Sequence, residues 1–167
     1  MVRTVRGDVW VDIEPSHALV LRAAGADKPV MVLPGPSEKV SHTAVSHDGH
    51  LLAAGGPEGI VYFWDLNNPS LHGKCVGHGA KITDIKFSPD GRGIFSVSED
   101  GTVRLWDVAT RAELLRFGSP QQPVISMALN RDGTLLVLGI KDGNRCGLRI
   151  HRLGESSESL LRNLQSF

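Results

Sequence analysis

The sequence has few aromatic side chains, only two cysteines, no net charge and no long apolar run. Each shortage excludes something. The 18 Lys+Arg balance the 18 Asp+Glu of a 167-residue chain, so it has no basic surplus to meet phosphates, and no nucleic-acid partner is expected. Cys75 and Cys146 stand 71 residues apart. They form neither a metal pair nor a disulfide framework, which predicts a reducing compartment, cytoplasm or nucleus. No apolar stretch reaches the roughly 18–20 residues that cross a bilayer, so no membrane segment is expected. The start, Met-Val-Arg-Thr-Val-Arg-Gly-Asp, turns acidic where a signal peptide needs an apolar stretch. Aromatics make up 5% of the residues, so the core must be largely aliphatic. Glycine, by contrast, is plentiful at 19 residues, which points to many turns and short strands.

The turns are periodic. Asp48-Gly49, Asp90-Gly91 and Asp132-Gly133 are spaced by 42 residues, and so are Gly59, Gly101 and Gly143. Trp64-Asp65 and Trp106-Asp107 keep the same interval. Three landmarks on one spacing define a repeat. Within a unit the apolar period is near two, as in strands. Strands are expected at 82–87, 94–97, 102–107 and 113–117, separated by Ser88-Pro89-Asp90-Gly91, Glu99-Asp100-Gly101 and Ala109-Thr110. Pro presets φ in the first turn, and Asp-Gly supports the reversal there and in the second. Such a meander is too small to stand alone, so units must stack. The fold class expected is all-β, in propeller blades.

The same reading divides the chain into 1–38, a degenerate unit; 39–77 and 78–117, two clear ones; 118–153, a divergent one; and 154–167, a final strand or tail. In the first of these, Val11-Asp12-Ile13-Glu14-Pro15 matches Ile85-Lys86-Phe87-Ser88-Pro89. This makes 18–23 a second strand and 30–33 a third, leaving the unit one strand short. In 118–153, three extra residues (Asn144 to Cys146) read as an irregular insert.

Gly77-His78, then Phe87-Ser88-Pro89-Asp90-Gly91, then Ser96-Val97-Ser98-Glu99-Asp100-Gly101-Thr102-Val103-Arg104-Leu105-Trp106-Asp107 resemble the WD40-repeat (β-transducin-like) family. The resemblance implies four-stranded propeller blades. It also implies a hydrogen-bonded chain through His78, Ser96, Asp100 and Trp106, residue types whose donors and acceptors can all be matched. The corresponding positions of the preceding unit hold Pro36, Ala54, Glu58 and Trp64, and those of the following unit Pro120, Leu138, Asp142 and His151. Those units are therefore expected to lean on apolar packing.

Other constellations are weaker. His78, Ser96 and Asp100 are also the residue types of a hydrolase triad, but no Gly-x-Ser-x-Gly elbow surrounds Ser96. His42, His47 and His50 lack a nearby fourth ligand and read as solvated turn residues. Gly55-Gly56-Pro57-Glu58-Gly59 sits between strands rather than before a helix, so it is a hairpin and not a phosphate cradle. No cofactor, metal or catalytic residue is expected.

The family resemblance implies binding through the loops at the His78 and Asp100 end. The candidate partner face there comprises Glu38, Pro57, Glu58, Lys81, Glu99, Gln121, Gln122, Lys141, Asn144 and Arg145. The expected function is a non-enzymatic scaffold for protein partners. The alternative is a sensing or regulatory propeller segment of a larger enzyme or exchange factor. Family propellers usually have about seven blades and propellers generally four to eight. The chain is therefore expected to supply part of a ring: either it is a fragment or short isoform of a longer propeller, or a second copy or another chain's blades complete the ring.

Overall fold

The computed structural model describes residues 2–4, 7–15, 17–23, 25–36, 39–68, 70–121, 123–143 and 145–153. They form four antiparallel sheets in chain order and, among the described residues, no helix. The first sheet is β1 (Val2–Thr4), β2 (Gly7–Ile13), β3 (Leu19–Ala23) and β4 (Met31–Leu33). The second is β5 (His42–Val45), β6 (Leu51–Gly55), β7 (Ile60–Asp65) and β8 (Ser70–Val76). The third is β9 (Ile82–Phe87), β10 (Gly93–Ser98), β11 (Thr102–Asp107) and β12 (Glu113–Gly118). The fourth is β13 (Val124–Leu129), β14 (Leu135–Asp142) and β15 (Arg145–Arg152). Every sheet is a meander, each strand paired with its neighbour in sequence. The first strands of successive sheets lie side by side, β1 by β5, β5 by β9 and β9 by β13.

Strand alternation puts successive side chains on opposite faces, so each inner sheet feeds two separate apolar layers. In β6 and β7, Leu52, Ala54, Tyr62 and Trp64 pack back against Leu19, Leu21 and Leu33. Ala53, Val61 and Phe63 pack forward against Ile82, Ile85, Ile94 and Trp106. A third layer joins Phe95, Val97 and Leu105 to Val124, Met127, Leu136 and Leu138. The core is thus three layers between four sheets. Fully burying a large apolar side chain contributes about 1.5–3 kcal/mol, and Trp64, Trp106, Phe63 and Phe95 are among the largest buried.

Two expectations need correction. The first unit is not a strand short. Leu19–Ala23 is its third strand and not its second, because each sheet keeps the meander order and β3 stands one 42-residue step before β7. The matching hairpin was hidden because His17 (φ 64°) takes the left-handed position that Gly59 (φ 71°) and Gly101 (φ 83°) hold one and two repeats later. Histidine is not a turn signal, whereas glycine adopts that conformation without a Cβ penalty. The second correction concerns the extra residues near Cys146. Arg145 and Cys146 are not in an irregular insert but belong to β15, paired with Asp142 and Lys141. Added residues in a hairpin can extend its ladder and satisfy their own backbone groups.

Candidate functional site

The polar relay of the third sheet starts from a close backbone approach. At Gly77 a Cβ would lie 2.5 Å from Arg104 Nη1 and 3.0 Å from the Trp106 ring, so the missing side chain lets the β8–β9 connection drop His78 into the sheet. There His78 is 7% exposed and Ser96 0%. The indole N–H of Trp106 donates to Ser96 Oγ at 2.8 Å, Ser96 Oγ meets His78 Nε2 at 2.7 Å, and His78 Nδ1 meets Asp100 Oδ2 at 2.9 Å. Indole can only donate and carboxylate only accept. The protons therefore run one way, with Ser96 O–H donating to Nε2 and Nδ1–H to Asp100. Asp100 also accepts from the N–H groups of Gly79 and Thr102 and from the Thr102 hydroxyl, at 3.0, 2.8 and 2.7 Å.

Burial holds the His78 imidazole below its ordinary value, an effect only partly offset by the Asp100 hydrogen bond and charge. For Asp100, burial pushes the carboxyl up, but hydrogen bonds from Thr102, Gly79 and His78 together hold it well below the usual carboxylate range. The connectivity is that of a hydrolase triad. Its hydroxyl, however, is out of contact with solvent and lies against the indole.

Arg104 extends this cluster and escaped the sequence reading. Its side chain is 9% exposed, with Nη1 2.5 Å from Glu113 Oε2 and Nη2 3.9 Å from Asp100 Oδ2. The guanidinium carbon lies 5.8 Å from the Trp106 ring centre, within cation–π range. The available signal was spacing, since residues two apart on a strand share a face and Arg104 stands two before Trp106. One repeat earlier the position is Tyr62, whose hydroxyl donates to Glu58 at 2.6 Å.

The second sheet replaces the relay rather than merely losing it. Ala54 stands where Ser96 would be, and the Trp64 indole donates instead to the Pro34 carbonyl at 2.9 Å. Pro36 is buried in the same connection. In the fourth sheet His151 pairs with Leu136 as Trp106 pairs with Ile94, and its ring lies 5.4 Å from Phe117.

Of the proposed face, Glu38, Gln122 and Asn144 lie outside the described residues. Pro57 and Glu58 are exposed beside the β8–β9 connection, because a Cβ on Gly59 would lie 2.7 Å from the Ala80 carbonyl. Gly101 is likewise close to Ser119 and Pro120, and Glu99 and Gln121 are exposed on the turns around it. Lys81 and Glu99 form an open ion pair at 3.9 Å, while Lys141 and Arg145 are exposed on the β14–β15 hairpin. Among the three sequence-flagged histidines, His42 Nδ1 lies 3.0 Å from Ser41 Oγ and His50 Nδ1 3.0 Å from Asn67 Nδ2, with His47 exposed. Cys75 is buried, its thiol pushed by burial up to about 12.

Meanders stacked through alternating apolar layers, one carrying this relay, define a β-propeller repeat protein. The family profile described as WD domain, G-beta repeat matches residues 11–65 and 70–107, more than half of the chain. The chain belongs to the WD40-repeat family. It is 28% identical over 83% of its length to the target of rapamycin complex subunit wat1 of Schizosaccharomyces pombe, covering 44% of that protein. It is 32% identical over 66% of its length to the small ribosomal subunit protein RACK1y of Oryza sativa subsp. japonica, covering 34%. It is also 32% identical over 48% of its length to the echinoderm microtubule-associated protein-like 4 of Homo sapiens, covering 9%. The chain thus spans less than half the length of these relatives.

Proposed function

We propose that the chain is a non-catalytic WD40 scaffold that holds protein partners in an intracellular multiprotein complex, without metal or cofactor. The observation that carries this reading is the contrast between the relay and the face above it. The Ser96 hydroxyl is 0% exposed and engaged by both His78 and Trp106, so it has no room for a substrate. Lys81, Glu99, Glu58, Lys141 and Arg145 by contrast present mixed charge on turns and a hairpin that rigid sheets position. Two relatives whose names make them subunits, one of a target of rapamycin complex and one of the small ribosomal subunit, support the same class.

The units 1–38, 39–77, 78–117 and 118–153 are the blades of this scaffold in our reading. Further blades, of the same protein, of a second copy or of another chain, would complete the ring. The specific observation favouring completion is β15, where Leu148 and Ile150 are 76% and 63% exposed. The test is affinity purification of the tagged chain beside a Lys81→Glu/Arg145→Glu double variant, with mass spectrometry of what co-purifies and a light-scattering mass of the chain itself. Partners lost from the variant at unchanged melting temperature are the expected result. An identical partner set in both would count against this face. A hydrolytic activity abolished by Ser96→Ala at unchanged stability would overturn the non-catalytic reading.

A further inference from the structure

The opposite end of the sheets carries a feature that the scaffold reading does not use. The first strands β5, β9 and β13 and the turns that follow them line an open groove of about 440 Å3, inside the roughly 300–1,000 Å3 range of sites that enclose a ligand. The repeat builds it. Val45, Phe87 and Leu129 stand 42 residues apart, are half-buried and form an apolar floor. His47 and Arg131, two repeat steps apart, stand exposed at its rim, with Lys86 on the central strand.

No carboxylate lines the groove. Lys86 Nζ lies 3.3 Å from Asp84 Oδ1, and Asp84 Oδ2 is occupied by the Met127 N–H at 3.2 Å. His47 and Arg131 have no hydrogen-bond or ion-pair partner among the described residues. The hydroxyls and amide that line the turns are already used: Ser46 and Ser88 bond Asp48 and Asp90 at 2.6 Å, and Asn130 accepts from the Leu135 N–H at 2.7 Å. What remains free is an apolar floor with the Arg131 guanidinium and the His47 ring at its rim.

The geometry points to this groove as a docking site for an acidic–apolar peptide segment of a partner protein, on the end of the sheets opposite the Lys81–Glu99 face. Leu- or Phe-type side chains fill the floor over Val45, Phe87 and Leu129, while flanking carboxylates meet Arg131 and Lys86. A single-stranded nucleic acid fits less well: Phe87 is the only Phe, Tyr or Trp that lines the groove, too few for a base-stacking platform. The proposal stands apart from the scaffold reading of the other face, and the two are tested with different variants.

The test pans a random dodecapeptide phage library on the full chain. The most enriched peptide is then synthesised with fluorescein and titrated by anisotropy. Expected are peptides with Asp or Glu flanking Leu, Ile or Phe. Affinity should fall about tenfold on Arg131→Glu, fall less on Lys86→Ala, and stay unchanged on Lys81→Glu. Arg131 is exposed, and a wild-type melting temperature checks that its variant is folded. The proposal is overturned by panning that enriches no sequence, by enriched peptides without acidic residues, by affinity that ignores Arg131→Glu, or by an octauridine RNA that binds more tightly than the peptide.

Discussion

Removing one oxygen from the centre of the third sheet should cost more than its size suggests. In Ser96→Ala the Trp106 indole N–H, 2.8 Å from Ser96 Oγ, loses its acceptor. His78 Nε2, 2.7 Å away, loses its donor. Each buried group left without a partner costs about 1–3 kcal/mol, so the pair predicts a loss of about 2–6 kcal/mol. A domain of this length shifts its melting midpoint by about 2–4 °C per kcal/mol, which gives a fall of roughly 4–24 °C. Trp106→Phe removes one donor while leaving the Ser96–His78 pair. Ser96→Ala/Trp106→Phe should therefore be less destabilised than the two singles added together, by about 0.5–3 kcal/mol. Thermal and urea unfolding followed by circular dichroism provides all four corners of the cycle. A Ser96→Ala midpoint within about 1 °C of wild type, or strict additivity in the double variant, would refute the reasoning.

The same relay predicts acid sensitivity. Because burial holds folded His78 below its ordinary 6.5, the unfolded chain takes up that proton first. The associated stability is complete above pH 6.5 and declines as pH falls below it. Asp100, held well below its ordinary 3.8 by its hydrogen bonds against the opposing effect of burial, adds a second loss below pH 3.8 in the same direction. Urea midpoints at pH 7.5, 6, 5 and 4 should fall steadily, and His78→Gln should flatten the first step to what His151, also lowered by burial, contributes. A constant midpoint from pH 7.5 to 5 would contradict this. Gly101→Ala should cost more than Gly91→Ala, by about 1–3 kcal/mol. Both positions have positive φ, 83° and 70°, but only at Gly101 does a Cβ meet backbone, 2.6 Å from Pro120 Cα; equal urea midpoints would sink the distinction. Native chain should release one equivalent of thionitrobenzoate rapidly at pH 8, from exposed Cys146, and a second only in urea, because burial keeps the Cys75 thiol protonated. Two rapid equivalents in the native state would show that Cys75 is accessible.

Much of the fold was legible because the repeat writes its turns in glycine. The Asp-Gly turns and Gly59, Gly101 and Gly143 fixed the strand boundaries from residue 42 to residue 142 closely, and Trp64-Asp65 and Trp106-Asp107 fixed the phase. In the first unit the landmark is His17, so the phase slipped by one strand. The order of the meander and the left-handed φ of His17 were needed to correct it. The site was legible in part. His78, Ser96, Asp100 and Trp106 could be named from their spacing, but the contribution of Arg104 and Glu113 depends on which strand faces carry them and how β11 registers against β12.

The sequence by itself determined the repeat, the strand character of each unit and the need for the units to stack, since alternating apolar residues leave both sheet faces wet in isolation. Only the tertiary structure decided where each polar group finds its partner. Trp64 and Trp106 are repeat-equivalent and chemically identical donors, yet one bonds a side-chain hydroxyl in its own sheet and the other the Pro34 carbonyl of the preceding connection. A buried N–H must be satisfied by whatever acceptor packing brings within reach. That choice belongs to the neighbouring sheet, thirty residues away from Trp64 along the chain.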